Sequence, residues 1–144
     1  MPVSMKDEGS VDSKARYRSL ILEAQELQSL WIAEHQGRAL ILGDSGGEKM
    51  ILVWPNRETA AGTLRNQPEL GQYQPVQRSL GRWLSASTGN LVEDGVLVAA
   101  NPDETLRCLK VPAQYFARDL SGKPTLQGKD ISRIKRTVRR AKAQ

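Results

Sequence analysis

The chain has 144 residues, of which 39% are hydrophobic and 26% charged, with a formal net charge of +5 and a pI of about 9.6. This size and composition are typical of one soluble domain with a single core. No window approaches the run of about 20 apolar residues that a membrane helix needs, and the polar N-terminus does not resemble a secretory signal. We therefore expect a cytoplasmic protein with no membrane span.

The positive charge is concentrated at the end of the sequence. Residues 123–144 carry eight basic residues and one acidic residue, a net charge of +7, which leaves −2 for residues 1–122. Residues 1–11 are polar with little apolar content. We predict a disordered N-terminal segment over 1–11, a single domain over 12–122 and a basic tail or helix over 123–144.

A first helix is predicted over about residues 13–27, because apolar residues recur there at helical spacing. Asp12 or Ser13 can cap it. Two short apolar runs follow over residues 30–33 and 39–42, and the glycine-containing break between them predicts a hairpin.

The run from Lys49 to Trp54 is apolar after its first residue and rich in strand-favouring side chains. It predicts a central strand covered on both faces. The turn-forming residues 43–47 join it to the earlier runs, which would complete an antiparallel meander. Pro55 offers no donor to a neighbouring strand, so pairing should end there, and Asn56 can cap a helix that ends before Pro68.

A polar, strand-like segment from Tyr73 to Arg78 contains a proline, which predicts an edge strand. Ser79 is a suitable cap for a helix over residues 80–86, and we expect Gly89-Asn90 to end that helix.

Val96 to Ala100 reads as a second buried strand, which Pro102 stops as Pro55 stops the first. A looser alternation over residues 106–111 predicts one further strand. A helix is expected after Pro112, with Gly122 as its stop. Together the elements predict an α+β fold: a mainly antiparallel sheet of five to six strands, helices packed chiefly on one face, and a basic C-terminal helix.

Several of these segments also carry a family resemblance. They are the first helix followed by Ser29-Leu30-Trp31, the Val53-Trp54-Pro55 run, the trio Leu80, Trp83 and Leu84, and Glu93-Asp94-Gly95 before the strand that ends at Pro102. Over about residues 15–120 the sequence resembles a bacterial family known only as domain of unknown function 2750. The resemblance implies a small intracellular α+β domain, with no assigned activity, ligand or catalytic residue.

The residues indicate no catalytic, cofactor or metal site. His35 falls at the tip of the predicted hairpin without an evident partner, and Cys108 falls in a predicted strand as a small buried hydrophobe. As the only histidine and the only cysteine, they cannot make a zinc site. The glycines of residues 43–47 lead into a strand, so they favour a hairpin turn over a phosphate loop. We therefore expect a protein that is not an enzyme.

Two hypotheses for function remain. In the first, the protein is an interaction or regulatory module that binds an unidentified protein partner near the start of the helix after Pro55. Most tryptophan surface should lie in the core, but Trp54 stands at a strand end, where its ring could line a groove. The predicted interaction surface is therefore Trp54, Asn56 and Arg57.

In the second hypothesis, the basic tail contacts nucleic-acid phosphates without sequence preference. Ile131, Ile134 and Val138 would form a narrow apolar stripe on a basic helix. An acidic partner protein, an anionic membrane surface and a merely solvated basic terminus are alternatives. The residues predicted to make these contacts are Arg133, Lys135, Arg136, Arg139, Arg140 and Lys142.

Overall fold

The structure is a computed structural model that describes residues 11–122, with seven strands and five α-helices in this range. None of these helices is long and apolar enough to cross a membrane. The predicted disordered start, apart from Val11, and the predicted basic helix over 123–144 lie outside the described residues.

The strands are β1 Ser29–His35, β2 Arg38–Ala39, β3 Ile41–Gly43, β4 Lys49–Val53, β5 Gln74–Ser79, β6 Val96–Ala100 and β7 Leu109–Val111. The helices are α1 Val11–Leu27, α2 Arg57–Arg65, α3 Leu80–Arg82, α4 Thr88–Asp94 and α5 Ala113–Leu120. A π-helical segment, Trp83–Ser87, joins α3 to α4 in one continuous helix, and a 3-10 turn spans Pro68–Leu70.

The strands form two sheets, ordered β3-β4-β6-β7 and β2-β1-β5. The two buried runs, β4 and β6, do lie side by side in the middle of the larger sheet, but they run parallel. The predicted single sheet of five to six strands is therefore wrong, although the α+β class is confirmed. The predicted meander breaks at Leu40, whose N–H bonds to Ala33 of β1, because β3 then pairs with β4 in the other sheet.

The two sheets are joined through their tryptophans. Trp31 of β1 and Trp54, just after β4, exchange two backbone hydrogen bonds of 2.9 Å each. The backbone groups of Trp31 thus point away from β5, which lies on the other side of β1. This connection holds the end of β4 against the smaller sheet.

Apolar side chains fill both faces of the larger sheet, because successive residues of a strand point to opposite faces. Ile51 and Val53 join a cluster that α1, α4 and α5 cover, whereas Met50, Leu52 and Trp54 join a second cluster that α2 covers. Most helices therefore lie on one face, as predicted, but α2, which was expected to share that face, lies on the opposite one.

The two predicted helix N-caps are confirmed. The side chains of Asn56 and Ser79 accept hydrogen bonds from backbone N–H groups in the first turns of α2 and α3, as predicted. The expected stop at Gly89 is wrong: the helix continues to Asp94, because Leu91 packs into the core and Gly95, with a φ of +70°, supplies the left-handed residue that ends it.

Candidate functional site

Helix α2 begins where the parallel strand β4 ends, and the chain also leaves β6 at this side of the sheet. In sheets with parallel strands, ligand sites collect outside the carboxyl ends of the strands. Two open depressions lie on either side of α2, and Arg65, near the end of this helix, lines both of them. We call them the polar depression and the apolar depression.

The polar depression has a volume of about 450 Å³. Its walls come from α1, from α2 and from the turn that follows β6, and they bring guanidinium, carboxylate and hydroxyl groups together. The lining residues are Arg16, Glu58, Thr59, Gly62, Thr63, Arg65, Asp103, Glu104 and Thr105. Two arginines against three acidic residues leave this surface close to neutral, with both signs of charge present.

Arg16 holds the end of β6. Its Nε donates to the carbonyl oxygen of Asn101 at 2.7 Å, and its Nη2 donates to Asn101 Oδ1 at 3.2 Å and to the carbonyl oxygen of Pro102 at 3.1 Å. Asn101 Nδ2 donates back to the carbonyl oxygen of Arg16 at 3.0 Å. Asn101 is buried and left-handed, with a φ of +55°, so this exchange stabilises a backbone conformation that few residue types adopt. Among the described residues, Nη1 of Arg16 donates to none.

Thr63 forms the floor of the polar depression. Its hydroxyl accepts a hydrogen bond of 3.1 Å from Trp54 Nε1 and lies 3.1 Å from the carbonyl oxygen of Pro102, to which it can donate. Trp54 is 0% exposed. The prediction that the Trp54 ring lines a groove is therefore wrong, because the strand directs this ring beneath α2, where it supports the depression from below.

Asp103 organises the turn after β6. Its Oδ1 accepts from the backbone N–H of Thr105 at 2.8 Å, from the Thr105 hydroxyl at 2.7 Å and from the Arg107 N–H at 3.0 Å. Partial burial alone would raise the pKa of this carboxyl, but these hydrogen bonds and the nearby charge of Arg16 lower the pKa from 3.8. The carboxylate is therefore held in its charged form.

The other two predicted interaction residues start α2. Asn56 Oδ1 accepts from the Thr59 N–H at 2.8 Å and from the Thr59 hydroxyl at 2.7 Å, and its Nδ2 donates to Glu23 of α1 at 3.1 Å. Arg57 is exposed. Of the three predicted residues, Arg57 is thus available to a partner, Asn56 caps the helix and Trp54 is buried.

The apolar depression lies between α2 and the start of β5 and has a volume of about 410 Å³. Two prolines and a tyrosine ring contribute to its walls. The lining residues are Ala61, Leu64, Arg65, Gln67, Pro68, Gly71, Tyr73, Gln74 and Pro75.

The free edge of β5 is unsuited to pairing with another strand. Since the backbone groups of Trp31 point away from β5, its neighbours Leu30 and Ile32 supply the bonds to β5, opposite Arg78 and Val76. Pro75, next to Val76, therefore directs its backbone outward and presents no N–H there. The predicted edge strand is confirmed, and its proline removes a donor from the exposed edge.

His35 and Cys108 lie apart from the two depressions' walls. His35 is at the end of β1, with Nδ1 3.1 Å from the carbonyl oxygen of Gln72 and its ring 5.8 Å from that of Tyr73. Cys108 is buried in the cluster beneath α2, as predicted. Residues 11–122 contain no group of three histidine, cysteine, aspartate or glutamate side chains that could hold a metal ion.

The six basic residues predicted to contact phosphates, Arg133, Lys135, Arg136, Arg139, Arg140 and Lys142, lie outside the described residues. Sequence reasoning missed Arg16, Thr63 and Arg65 as parts of a site. The turn at Asp103 carried a readable signal, since an aspartate two residues before a threonine suits a local side-chain turn. Nothing local marks Arg16, whose partner Asn101 is 85 residues away.

The fold and these depressions define a small α+β domain with a mixed central sheet and a cleft on each side of one exposed helix. Residues 17–120 match the family model described as "Protein of unknown function (DUF2750)", so the chain belongs to this family, as its resemblance predicted. No match to the chain exists among the curated proteins or the solved structures.

Proposed function

We propose that the protein is a non-enzymatic interaction or regulatory module and that α2, with the depressions on both sides of it, is where a protein partner docks. The observation that carries this proposal is the convergence of the two depressions on Arg65. An apolar patch bordered by polar, hydrogen-bonding groups is the usual anatomy of a protein interface.

The two depressions suit different parts of one partner. The apolar depression, with Leu64 and Tyr73 in its walls, suits an apolar side chain that anchors the partner. The polar depression offers carboxylates and hydroxyls, which suit polar or charged groups at the rim. Arg57 and Arg65 are exposed on α2 itself and can pair with acidic groups of the partner.

The chemistry of the polar depression supports binding more than catalysis. Its best-positioned groups are already engaged within the fold: Arg16 bonds the chain just after β6, Thr63 bonds Trp54, and Asp103 bonds its own turn. Groups fixed in this way give a firm surface for recognition, because little side-chain entropy is lost when a partner binds.

The test is capture of partners by the immobilised full chain, compared with variants at α2. Arg57→Glu reverses one exposed charge on α2, and Arg82→Glu makes the same reversal at an exposed position on α3. We expect Arg57→Glu to lose a protein that the natural chain and Arg82→Glu both retain. Equal retention by both variants would contradict the proposal.

The charge of +7 in residues 123–144 favours nucleic-acid binding as a second candidate function. Release of counterions from phosphates makes such binding fall steeply with salt, by about 0.9 in the logarithmic slope for each phosphate neutralised. Replacing Arg133, Arg136, Arg139 and Arg140 by glutamine in the full chain should flatten this slope on random duplex DNA. Binding that is unaffected by salt and by these substitutions would exclude this candidate.

A further inference from the structure

Strands β2 and β3 together form one free edge of the protein. β2 is an edge strand of the smaller sheet, β3 is an edge strand of the larger one, and only Leu40 separates them. The N–H of Leu40 bonds to Ala33 of β1, and the N–H of Asp44, just after β3, bonds to Glu48. Backbone groups two residues apart along a strand point the same way. The residues whose backbone groups point outward are therefore Ala39, Ile41 and Gly43.

This edge lacks the features that keep an edge strand from pairing with another molecule. Proteins block such edges with proline or with charged side chains. Residues 39–43 contain neither, whereas β5 carries Pro75 with its backbone outward. The side chain of Ile41 is 39% exposed, and Ala39 and Gly43 are exposed beside it. The described part of the chain thus leaves an apolar edge uncovered.

The two ends of this edge carry opposite charges at equal distances from its centre. Arg38 lies three residues before Ile41, and Asp44 lies three residues after it. Both side chains are exposed, and among residues 11–122 Arg38 has no acidic partner. Asp44 Oδ1 accepts from the N–H groups of Gly46 and Glu48, each at 2.9 Å, which holds the carboxylate at the end of β3. The edge is therefore complementary in charge to an antiparallel copy of itself.

We propose that two copies of this chain form a symmetric dimer in which residues 38–44 pair as antiparallel strands, with Ile41 of one copy opposite Ile41 of the other. The two Ile41 residues exchange both backbone hydrogen bonds, and Ala39 of each copy does the same with Gly43 of the other. Arg38 of each copy then lies opposite Asp44 of the other, where side chains of opposite charge stabilise a strand pair.

Two independent features fix this register. A shift by one residue would place outward-pointing backbone groups opposite inward-pointing ones, so the hydrogen bonds would be lost. A shift by two residues would keep hydrogen bonds but move each Arg38 away from the Asp44 of the other copy. Only the register centred on Ile41 satisfies the backbone and the charges together.

The resulting assembly is closed and separate from the proposed partner site. Each copy uses the same edge once, so pairing stops at two copies, and Pro75 hinders further pairing along β5. None of residues 38–44 lines either depression beside α2. The paired strand is only about 20 Å long, so we expect a weak dimer whose population depends on concentration.

Sedimentation and amide hydrogen exchange of the full chain test the dimer. Between about 10 μM and about 1 mM we expect the average mass to rise from 16.0 kDa toward twice that value and no further. Over the same range the N–H groups of Ile41 and Gly43 should become protected, whereas those of Leu40 and Asp44 should be protected throughout. A chain that stays monomeric, a mass that keeps rising, or a dimer without protection at Ile41 would overturn the proposal.

Two matched lysine substitutions test the centre of the interface. Ile41→Lys places two ammonium groups opposite each other, and Val92→Lys makes the same change at an exposed position on α4. We expect Ile41→Lys to raise the dissociation constant at least about tenfold and Val92→Lys to leave it unchanged. Equal dissociation constants for the two variants would show that the copies meet at another surface.

A charge reversal at an exposed residue tests the ends of the interface without altering apolar packing. Arg38→Glu sets a carboxylate opposite Asp44 of the other copy, and Arg82→Glu changes the net charge equally at an exposed position on α3. Arg38→Glu should raise the dissociation constant about threefold to tenfold, and Arg82→Glu should not. A dimer that tolerates Arg38→Glu as well as Arg82→Glu would contradict the register. Protection of Ile41 that requires a different protein would mean that a foreign strand occupies the edge, which would also overturn the proposal.

Discussion

The indole Nε1 of Trp54 donates to the hydroxyl of Thr63 at 3.1 Å, and the same hydroxyl lies 3.1 Å from the carbonyl oxygen of Pro102. One threonine thus ties together the end of β4, the last turn of α2 and the chain just after β6. All three groups are buried. The position of α2, and with it the shape of both depressions, depends on this small network.

Thr63→Val should be more destabilising than Thr63→Ser. Valine keeps the size of the side chain but leaves the Trp54 N–H and the Pro102 carbonyl oxygen without this partner, which should lower the free energy of unfolding by about 1–3 kcal/mol. Serine keeps the hydroxyl and loses one methyl group. Urea unfolding followed by tryptophan fluorescence measures both, and a smaller loss for valine than for serine would show that the network contributes little.

Arg16→Ala should lower the free energy of unfolding by about 2–3 kcal/mol, since charged hydrogen-bond donors contribute the most and Asn101 Oδ1 would stay buried without this donor. Arg18→Ala, at an exposed position two residues further along α1 and so on the other side of this helix, is the matched control and should change stability by less than about 0.5 kcal/mol. Similar midpoints for the two variants in urea would mean that the end of β6 needs no support from α1.

Gly62→Ala should stabilise the domain while weakening partner binding. A Cβ at Gly62 would meet nothing closer than the Arg65 Nη2 at 3.9 Å, so alanine fits and raises the free energy of unfolding by about 0.5–1 kcal/mol. The added methyl group narrows the polar depression. Gly81→Ala, in α3 with nothing within 4 Å, should leave partner binding unchanged. If a partner that requires Arg57 binds Gly62→Ala at full strength, the polar depression is not part of the interface.

Stability should fall at alkaline pH because of Tyr17. Burial, the charge of Asp119 and the hydrogen bond to Asp119 raise the pKa of the Tyr17 phenol well above 10.0. Between pH 10.0 and the folded pKa, the folded state keeps the phenol proton whereas the unfolded chain releases it. The contribution of Tyr17 to the free energy of unfolding is therefore complete below pH 10.0 and is lost as the pH rises through the folded pKa. Tyr17→Phe should be less stable at neutral pH and show a shallower alkaline decline. Thermal unfolding at several alkaline pH values measures this decline. An equally steep decline in Tyr17→Phe would show that Tyr17 does not cause it.

Asp103 should stabilise the fold at neutral pH and lose this effect in acid. Because its folded pKa lies below 3.8, its stabilising effect is present above that pH and is lost as the pH falls through the folded pKa. Asp103→Asn keeps an oxygen acceptor for the turn but removes the charge. The urea midpoints of the variant and the natural chain should therefore differ at neutral pH and converge in acid. A difference that stays constant with pH would show that the charge of Asp103 does not stabilise the fold.

Local signals in the sequence account for what could be predicted. Pro55 and Pro102 stop their strands because proline lacks an N–H, and Asn56 caps α2 because its side chain accepts from Thr59. The sequence contains no comparable local mark for the parallel pairing of β4 with β6, which depends on how distant segments pack. The orientation of Trp54 was equally hidden, since alternation assigns side chains to two faces without saying which face a helix covers.

The backbone of Pro75 faces outward at the free edge of β5, and this disfavours association of the protein through that edge at high concentration. A second molecule that approached along β5 would meet a backbone with one donor missing, so growth of a shared sheet across molecules is disfavoured. Pro75 also lines the apolar depression, beside which β5 begins. By disfavouring strand pairing between molecules at this edge, this proline therefore keeps other copies of the chain from covering the depression.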